Sequence, residues 1–287
     1  MHKMEGERAC ATLEEKLYLC MPDKITEISA KGERHAPFSG AVSLCAGESV
    51  LFCADDSGAI WRFDRESMVE QSIGSGGPGV CDMCLSDDGE RFFSLLGEAD
   101  SILMSDSLSV RPLAVNRCGC NPQNISRHGD TLAVSGGESG YVYLFSVHTL
   151  ECIAKIPMPG PVCSVLLGRN AIFALCRTAE LNALFVIYCR EQKRLFHLEG
   201  MPGSLSACGE DVLIAAQGKI HLFSQAGGCM LGVRCAPGKA SRILCCLDKT
   251  FLLDPLSECL FVSEDGLLWR QACKGIRACA LHRHLVQ

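Results

Sequence analysis

A repeat of about 40 residues is the feature that most constrains the fold of this chain. Seven short segments share an alternation of apolar and polar residues, and they occupy residues 24–29, 59–64, 101–106, 141–146, 184–189, 219–224 and 259–264. Consecutive segments begin 35, 42, 40, 43, 35 and 40 residues apart. Alternation with β-branched and aromatic residues is typical of strands, and this period is typical of a four-stranded unit. The sequence therefore predicts an all-β protein built from repeated four-stranded units.

The sequence around each segment supplies the other strands of the unit. An apolar strand precedes the segment and ends in a turn, as in "SVLFCADDSG" and "DTLAVSGGESG". The Gly, Asp and Ser residues of these turns tolerate the tight backbone that a hairpin requires. A more polar strand follows, then a Gly/Pro break, and then an apolar strand that opens the next unit, such as "GAVSLCA" or "GPVCSVLL". Each period thus contains four predicted strands.

Two hairpins and one strand carry a resemblance to a known superfamily. The hairpins are "DDSGAIWRFD" and "SGYVYLFS", and the strand "PVCSVLL" matches the V-x-x-V opening of a WD40 unit. Over essentially its whole length the chain resembles a β-propeller of the WD40/YVTN-like superfamily. It lacks the Gly-His dipeptide and the terminal Trp-Asp of strict WD40 repeats, so the resemblance is to the broader, degenerate class of propeller.

The two ends of the chain supply complementary parts of one blade. The N-terminal region contains only the later strands of a unit, "EKLYLCM" and "KITEIS", whereas an opening-type strand, "GIRACALHRH", follows the last complete unit. Joining them closes the ring and protects its edges. We therefore expect one domain, residues 1–287, forming a seven-bladed β-propeller of four-stranded antiparallel blades. The predicted blades are residues 276–287 with 10–37, then 38–78, 79–116, 117–159, 160–202, 203–238 and 239–275.

Composition excludes some functions and suggests a compartment. The net charge of −6 and a pI near 5.8 argue against a nucleic-acid partner, which requires a basic face. No apolar run reaches the roughly 18 residues needed to span a bilayer, and the first residues lack the apolar core of a signal peptide. The 20 cysteines are then read mainly as small buried hydrophobes in a reducing environment. These features predict a cytoplasmic protein without a membrane span.

A column of polar residues is expected along the channel of the propeller. The opening strand of each blade lines the channel, and alignment of the seven opening strands places one polar residue at the same position in each: Ser43, Asp82, Asn124, Ser164, Ser206, Arg242 and Arg277. The column could line a ligand or peptide site, in which the two arginines would bind a carboxylate or a phosphate. It could equally be a hydrated channel wall, and the need of packed strands for one solvated face favours this second interpretation.

The cysteine motifs give little support for a metal or redox site. Cys81 and Cys84 form a CxxC pair, but residues three apart in an extended strand point to opposite faces. No second pair completes a zinc set. Cys118 and Cys120 are two apart and are expected to share a face, yet a core or turn role is favoured for both.

Other candidate motifs have structural explanations as well. His282 and His284 could bind a metal with a third ligand, although a polar tail is favoured. The "GSGGPG" run at residues 74–79 has no Walker lysine and opens a strand instead of a helix, so it is read as a linker between blades. No nucleophile is paired with a recognisable base. The sequence therefore predicts no catalytic residue, no metal and no cofactor.

Two main functions remain open on this evidence, and a third, a thiol or metal protein, rests on the cysteine count alone. The first is a non-enzymatic interaction or scaffold module that binds a protein or peptide partner through a loop face or the channel mouth. The alternative is a small-ligand binder, or an enzyme of the lactonase-like or quinoprotein-like kind, with an anion site at the channel mouth around Asp82, Arg242 and Arg277. Because propellers support unrelated functions, the fold cannot decide between them. The few acidic and histidine residues in the opening strands favour the first.

Overall fold

The computed structural model contains seven four-stranded antiparallel sheets arranged in a ring. It describes residues 13–20, 23–29, 32–47, 50–55, 57–75, 79–109, 111–178, 182–188, 192–238, 242–246, 249–254, 257, 259–264, 268–274 and 278–285. Regular structure in these ranges is entirely β-strand, and they include no helix long and apolar enough to cross a bilayer. The predicted fold, a seven-bladed β-propeller, is confirmed.

Blades are numbered 1 to 7 in chain order, and their strands are as follows. Blade 1 contains β1 (Leu13–Cys20), β2 (Lys24–Ser29) and β3 (Gly32–Pro37) together with β28 (Ala278–Leu285). Blade 2 contains β4 (Ala41–Ala46), β5 (Val50–Asp55), β6 (Ala59–Asp64) and β7 (Glu70–Ser75). Blade 3 contains β8 (Val80–Leu85), β9 (Arg91–Leu96), β10 (Ser101–Asp106) and β11 (Pro112–Arg117). Blade 4 contains β12 (Ile125–His128), β13 (Thr131–Ser135), β14 (Tyr141–Ser146) and β15 (Cys152–Pro157).

The remaining blades follow the same order of strands. Blade 5 contains β16 (Val162–Leu167), β17 (Ala171–Arg177), β18 (Asn182–Tyr188) and β19 (Gln192–His197). Blade 6 contains β20 (Pro202–Cys208), β21 (Asp211–Ala216), β22 (Lys219–Ser224) and β23 (Cys229–Cys235). Blade 7 contains β24 (Arg242–Cys246), β25 (Lys249–Asp254), β26 (Cys259–Ser263) and β27 (Arg270–Lys274). The seven segments that revealed the repeat are the third strands of blades 2 to 7 and β2 of blade 1.

Pairing between the two ends of the chain closes the ring as expected. Strand β28 lies antiparallel to β1, with Leu281 opposite Leu17 and Ala278 opposite Cys20. The sheet order of this blade is therefore β28-β1-β2-β3, in which the last strand of the chain is the innermost strand. Closure of this kind removes the free sheet edge that an open array of blades would expose.

The core consists of apolar clusters between successive blades. Phe52 of blade 2 packs on Phe92 of blade 3, with ring centroids 4.9 Å apart. Phe173 of blade 5 packs on Phe223 of blade 6 at 5.7 Å, and all four rings are fully buried. Burial of one such side chain contributes roughly 1.5–3 kcal/mol. Because the two middle strands of each blade are covered on both faces, their sequences are runs of apolar residues such as "VLIAA".

A β-bulge interrupts several of the innermost strands. Register shifts lie between Ala41 and Ser43 in β4, between Val80 and Asp82 in β8, and between Val162 and Ser164 in β16. A bulge adds one residue to one strand and resets the alternation of its side chains. The inner strands are therefore not simple extended strands, and this affects every argument about which residues share a face.

Candidate functional site

The predicted polar column lies on the innermost strands, which contact one another around the channel. Ser43, Ser164 and Ser206 lie in β4, β16 and β20 and are buried, Asp82 lies in β8 and is half-buried, and Asn124 directly precedes β12. Arg242 is the first residue of β24, but its side chain is outside the described part of the structure. Arg277 lies outside the described residues. The arginine half of the proposed anion site therefore stays a prediction.

Three members of the column are connected in series across blades 3, 4 and 5. Asp82 Oδ2 accepts hydrogen bonds from Asn124 Nδ2 at 3.0 Å and from the Ile125 backbone N–H at 2.9 Å. Asn124 Oδ1 in turn accepts the Val165 backbone N–H at 2.8 Å and the Ser164 hydroxyl at 3.4 Å. Each side chain thus accepts a backbone N–H from the inner strand of the next blade.

Two serines beside the column make the same kind of contact. Ser126 Oγ accepts the Leu167 N–H of blade 5, and Ser204 Oγ accepts the Ile243 N–H of blade 7, both at 2.9 Å. Inner strands pair with only one neighbour inside their own blade, so some of their N–H groups need acceptors elsewhere. Polar side chains from the preceding blade supply them. These hydrogen bonds give a structural role to polar residues that sequence reasoning assigned to a ligand or to water.

The bulge in β8 makes the argument from strand alternation wrong for Cys81 and Cys84. Both residues pack against the cluster between blades 3 and 4, because the bulge before Asp82 resets the side-chain order, and Cys84 also packs against the cluster between blades 2 and 3. Cys81 Sγ lies 3.4 Å from the Leu95 carbonyl oxygen and 3.2 Å from that of Pro122, so its weak S–H donor is directed toward backbone.

The same thiol contact recurs in blade 5. Cys163, the bulge residue of β16, lies with its Sγ 3.4 Å from the Leu175 carbonyl oxygen and 3.8 Å from that of Pro202. In both strands the cysteine therefore joins its own blade to the following one. A small side chain with a weak donor suits this crowded position, and the recurrence indicates a packing role.

The environment of the buried thiols opposes thiolate chemistry. Burial raises the pKa of Cys45 and Cys118 to about 12, and it raises the pKa of Cys84 well above the ordinary value. Asp82 adds to the increase at Cys45 and Cys84, because its negative charge disfavours a thiolate nearby. A thiol must ionise to act as a nucleophile or metal ligand, so these three side chains are suited to the core.

The described residues contain neither a disulfide nor a metal cluster. The cysteines whose side chains the structure describes are free thiols, and no group of three or more His, Cys, Asp or Glu there could hold a metal ion. Cys118 is fully buried whereas Cys120 is exposed, so the two thiols lie in different environments. The side chains of His282 and His284 lie outside the described part of the structure.

A buried ionic network between blades 1 and 2 was not anticipated. Glu27 of β2 is 2% exposed, and its carboxylate accepts hydrogen bonds from Tyr18 Oη at 2.7 Å and from Arg34 Nη2 at 2.7 Å. Arg65, 5% exposed in the turn after β6, donates to Tyr18 Oη and to the Gly47 carbonyl oxygen. The sequence did hold a signal for it: a glutamate in the middle of a strand covered on both faces must have a partner.

A hairpin of blade 2 is fixed by one aspartate. Asp55 Oδ1 accepts the backbone N–H groups of Ser57 at 2.9 Å and Ala59 at 3.0 Å, and Oδ2 accepts the Trp61 indole N–H at 2.8 Å. Partial burial alone would raise the pKa of this carboxyl, but the hydrogen bonds from Ser57, Trp61 and Ala59 together lower it. The "DDSGAIWRFD" hairpin that carried the family resemblance is thus held by its first aspartate.

His221 of β22 is buried, and one of its two ring nitrogens makes no hydrogen bond within the described residues. It is 1% exposed, its Nε2 lies 3.2 Å from the Glu199 carbonyl oxygen, and its Nδ1 has no hydrogen-bond partner among the described residues. Burial lowers its pKa, against a smaller increase from the carbonyl and carboxylate of Glu199. The native protein therefore holds His221 neutral at a pH where the unfolded chain takes up a proton.

This difference predicts that the free energy of unfolding depends on pH. His221→Phe should weaken that dependence. Above about pH 6.5 both states carry a neutral ring, and as the pH falls below that value the unfolded state binds the extra proton and stability is lost. The slope contributed by one proton is at most about 1.4 kcal/mol per pH unit. Phenylalanine should fit, because the third residues of β14 and β26 are Tyr143 and Phe261.

The measurement is urea unfolding of both proteins between pH 5 and pH 7.5. We expect the variant to show a shallower loss of stability below pH 6.5. The exposed His197, replaced by phenylalanine, serves as the control and should leave the slope unchanged. Identical slopes for wild type and His221→Phe would contradict the assignment of this proton to His221.

Comparison with solved structures identifies the fold. U3-55K superimposes with a TM-score of 0.65 and 16% identity, over 83% of this chain and 84% of that chain. A chain of the mitotic checkpoint complex gives 0.69 and 12%, over 97% and 88%. The fold is that of a β-propeller.

The likeness extends to a bacterial propeller but not to any sequence family. A functionally unknown protein from Desulfotomaculum acetoxidans DSM 771 superimposes with a TM-score of 0.76 and 11% identity, over 93% of this chain and 98% of that chain. No protein-family model and no curated protein sequence matches the chain. Identities this low establish the propeller architecture and leave function to be argued from its surfaces.

Proposed function

We propose that this WD40-like propeller is a non-enzymatic interaction module, acting in the cytoplasm, that binds a protein or peptide partner through a loop face or the channel mouth. The observation that supports the proposal is that side chains of the polar column form hydrogen bonds between blades. Asp82, Asn124 and Ser164 accept hydrogen bonds that join blades 3 to 5. Side chains committed in this way hold the ring rigid, and a rigid ring presents fixed loop surfaces to a partner.

The chemistry of the described thiols and histidine supports the same conclusion. Cys45, Cys84 and Cys118 have raised pKa values because they are buried, and His221 is buried on the side of β22 that faces blade 5, away from the polar column. Free thiols throughout the described chain fit a reducing compartment. The small-ligand alternative depends on Arg242 and Arg277, and it stays a prediction.

Affinity capture followed by reconstitution tests the interaction role. The tagged protein is used as bait in native lysate of its source cells, and any protein recovered at a constant ratio is purified and recombined with it. We expect a complex of defined stoichiometry that elutes as one species in size-exclusion chromatography. The control bait is the same protein after thermal unfolding, which separates surface recognition from binding to exposed core. Repeated captures without a stoichiometric partner, or a partner that fails to recombine, would refute the proposal.

A further inference from the structure

A pocket of about 220 Å³ lies between blades 4 and 5. It is located at the end of the propeller where β12 turns into β13 and β16 turns into β17. Its apolar walls are formed by four aliphatic side chains: Leu144, Leu167, Ile172 and Ile187. At its rim lie the exposed side chains of His128 and Arg169, one from each turn. Aliphatic walls below a guanidinium and an imidazole define an amphipathic site.

The neighbouring cations at this end of the molecule have partners in blade 3 or blade 4. Arg127 forms an ion pair with Asp87. Arg91 Nη1 donates to His148 Nδ1 at 3.2 Å, and His148 Nε2 lies 3.1 Å from Asp130 Oδ1. Arginine has only donors, so Nδ1 of His148 is the acceptor of this hydrogen bond, and Nε2 faces Asp130. These contacts engage Asp130, the carboxylate nearest in sequence to His128.

The two rim side chains of the pocket, His128 and Arg169, remain unpaired within the described residues. Neither His128 nor Arg169 makes a hydrogen bond or ion pair with another described side chain, and no carboxylate is among the residues that line the pocket. A guanidinium binds a carboxylate through charge-assisted hydrogen bonds, often two at once. The charge of the site therefore complements an anion, and its walls complement an aliphatic group.

We propose that this pocket binds the carboxy-terminal aliphatic residue of a partner polypeptide, a proposal that rests on the interaction role proposed above. A C-terminal leucine, isoleucine or valine combines a carboxylate and a branched aliphatic side chain in one residue. The volume of the pocket is below that of a drug-sized site and fits a group of that size. Capture of a terminal carboxylate is an established mode of peptide recognition.

Other carriers of a carboxylate fit the site less well. A free amino acid would bring an ammonium group beside Arg169, and no acidic side chain lines the pocket to balance it. An internal aspartate or glutamate offers the carboxylate without the branched aliphatic group that the four apolar walls require. A fatty acid has the right head group but a chain longer than the pocket accommodates. The terminal residue of a peptide meets both requirements.

Binding of defined peptides tests the proposal directly. The probe is acetyl-Gly-Ser-Gly-Leu, used with a free C-terminal carboxylate or as the C-terminal amide, and octanoate serves as the lipid-like comparison. Isothermal titration is carried out with the full chain at low salt. We expect binding of the free acid and at least about tenfold weaker binding of the amide, because the charge-assisted hydrogen bonds are lost. Octanoate should bind more weakly than the free acid.

Variants locate the binding in this pocket. Arg169→Gln should weaken binding of the free acid by about tenfold or more and leave binding of the amide unchanged. Arg111 is an exposed arginine in the turn before β11, and Arg111→Gln should change the binding of neither peptide. Thr131→Phe should fill the pocket and abolish binding, because Thr131 lines it and lies on the same face of β13 as Ala133, which packs between blades 4 and 5. Thermal melts of all three variants verify folding, and Arg169 is an exposed turn residue whose replacement should leave the melt unchanged.

The outcomes separate this proposal from the interaction role itself. No binding of the free acid, equal binding of acid and amide, preference for octanoate, or an unaffected Arg169→Gln variant would each overturn the pocket assignment. A stoichiometric partner that is still bound by Arg169→Gln would also overturn it while leaving the interaction role intact. Failure of the capture experiment, with specific peptide binding present, would refute only the proposal of a stable protein complex.

Discussion

Gly137→Ala is expected to destabilise the protein by about 3 to 5 kcal/mol, whereas Gly129→Ala should cost about 1 kcal/mol. Both glycines have nearly the same left-handed backbone, with φ of 53° and 54°. An alanine at either position pays the same conformational penalty, roughly 1–2 kcal/mol. The two positions differ in their surroundings: a Cβ on Gly129 would meet nothing within 4 Å, but a Cβ on Gly137 would lie 2.1 Å from the Asn121 carbonyl oxygen and 2.4 Å from that of Cys120.

The close approach at Gly137 belongs to the connection between blades 3 and 4. Gly137 forms backbone bridges with both Cys120 and Val162, and the Val162 N–H donates to the Gly137 carbonyl oxygen at 3.0 Å. The atoms that a methyl group would strike are backbone, which cannot rotate away as a flexible side chain can. Relief of the clash requires displacement of the 118–124 segment, which carries Asn124 and its hydrogen bond to Val165.

Urea unfolding of the two variants provides the measurement. The difference in unfolding free energy between Gly137→Ala and Gly129→Ala isolates the steric part, because the backbone penalty is common to both. Gly136→Ala, where a Cβ would lie 2.6 Å from the Tyr141 carbonyl oxygen, should fall between them or match Gly137→Ala. Equal stabilities of the Gly129 and Gly137 variants would show that the two loops do not approach each other this closely.

Glu27→Ala is the second change expected to have a large effect, with a loss of about 3 kcal/mol. Removing the carboxylate leaves the buried Tyr18 hydroxyl without its acceptor. It also removes the negative charge that Tyr18 connects to the buried Arg65 guanidinium, and uncompensated buried charge is strongly destabilising. Arg34 is 41% exposed and can turn toward water, which keeps the expected loss at the lower end of the range for buried pairs. Glu33→Ala, an exposed glutamate on the adjacent strand, is the matched control and should be nearly neutral.

Conservative and compensating variants distinguish charge from packing at this network. Glu27→Gln keeps an acceptor for Tyr18 Oη but removes the charge, so its loss should be smaller than that of Glu27→Ala. Combining Glu27→Leu with Arg65→Met should recover part of the stability, because removing both charges eliminates the unpaired one. If the double variant is less stable than the sum of the two single variants predicts, the network does not act as a buried ion pair.

The architecture could be predicted because each blade of a propeller corresponds to one sequence repeat of nearly constant length. The strands around Tyr141–Ser146 and Lys219–Ser224 appeared at the predicted residues, and the closure of β28 on β1 followed from counting strands. The bulges could not be predicted from the sequence. An inserted residue in β8 does not disturb the apolar pattern, and it changes only the face of the strand on which later residues lie. The wrong argument about Cys81 and Cys84 has this origin.

The interactions between blades were harder to predict than the blades themselves. The sequence placed Asp82 and Asn124 in one column, but the hydrogen bond between them depends on the offset between neighbouring inner strands, which the sequence of a single strand does not contain. Glu27 could have been identified from its place in a strand covered on both faces. Arg65, which donates to Tyr18 in the same network, lies 38 residues from Glu27 in another blade. The pocket between blades 4 and 5 combines two distant turns and had no signal of its own.

The closure of blade 1 also governs the order in which the protein can assemble. Strand β1, residues 13–20, is synthesised before blades 2 to 7, whereas its partner strand, residues 278–285, is synthesised after them. The edge of β1 that pairs with β28 therefore stays unpaired while the other six blades are made. Contacts of such high sequence separation are slow to form. We therefore expect the pairing of β28 with β1 to be a late step in folding.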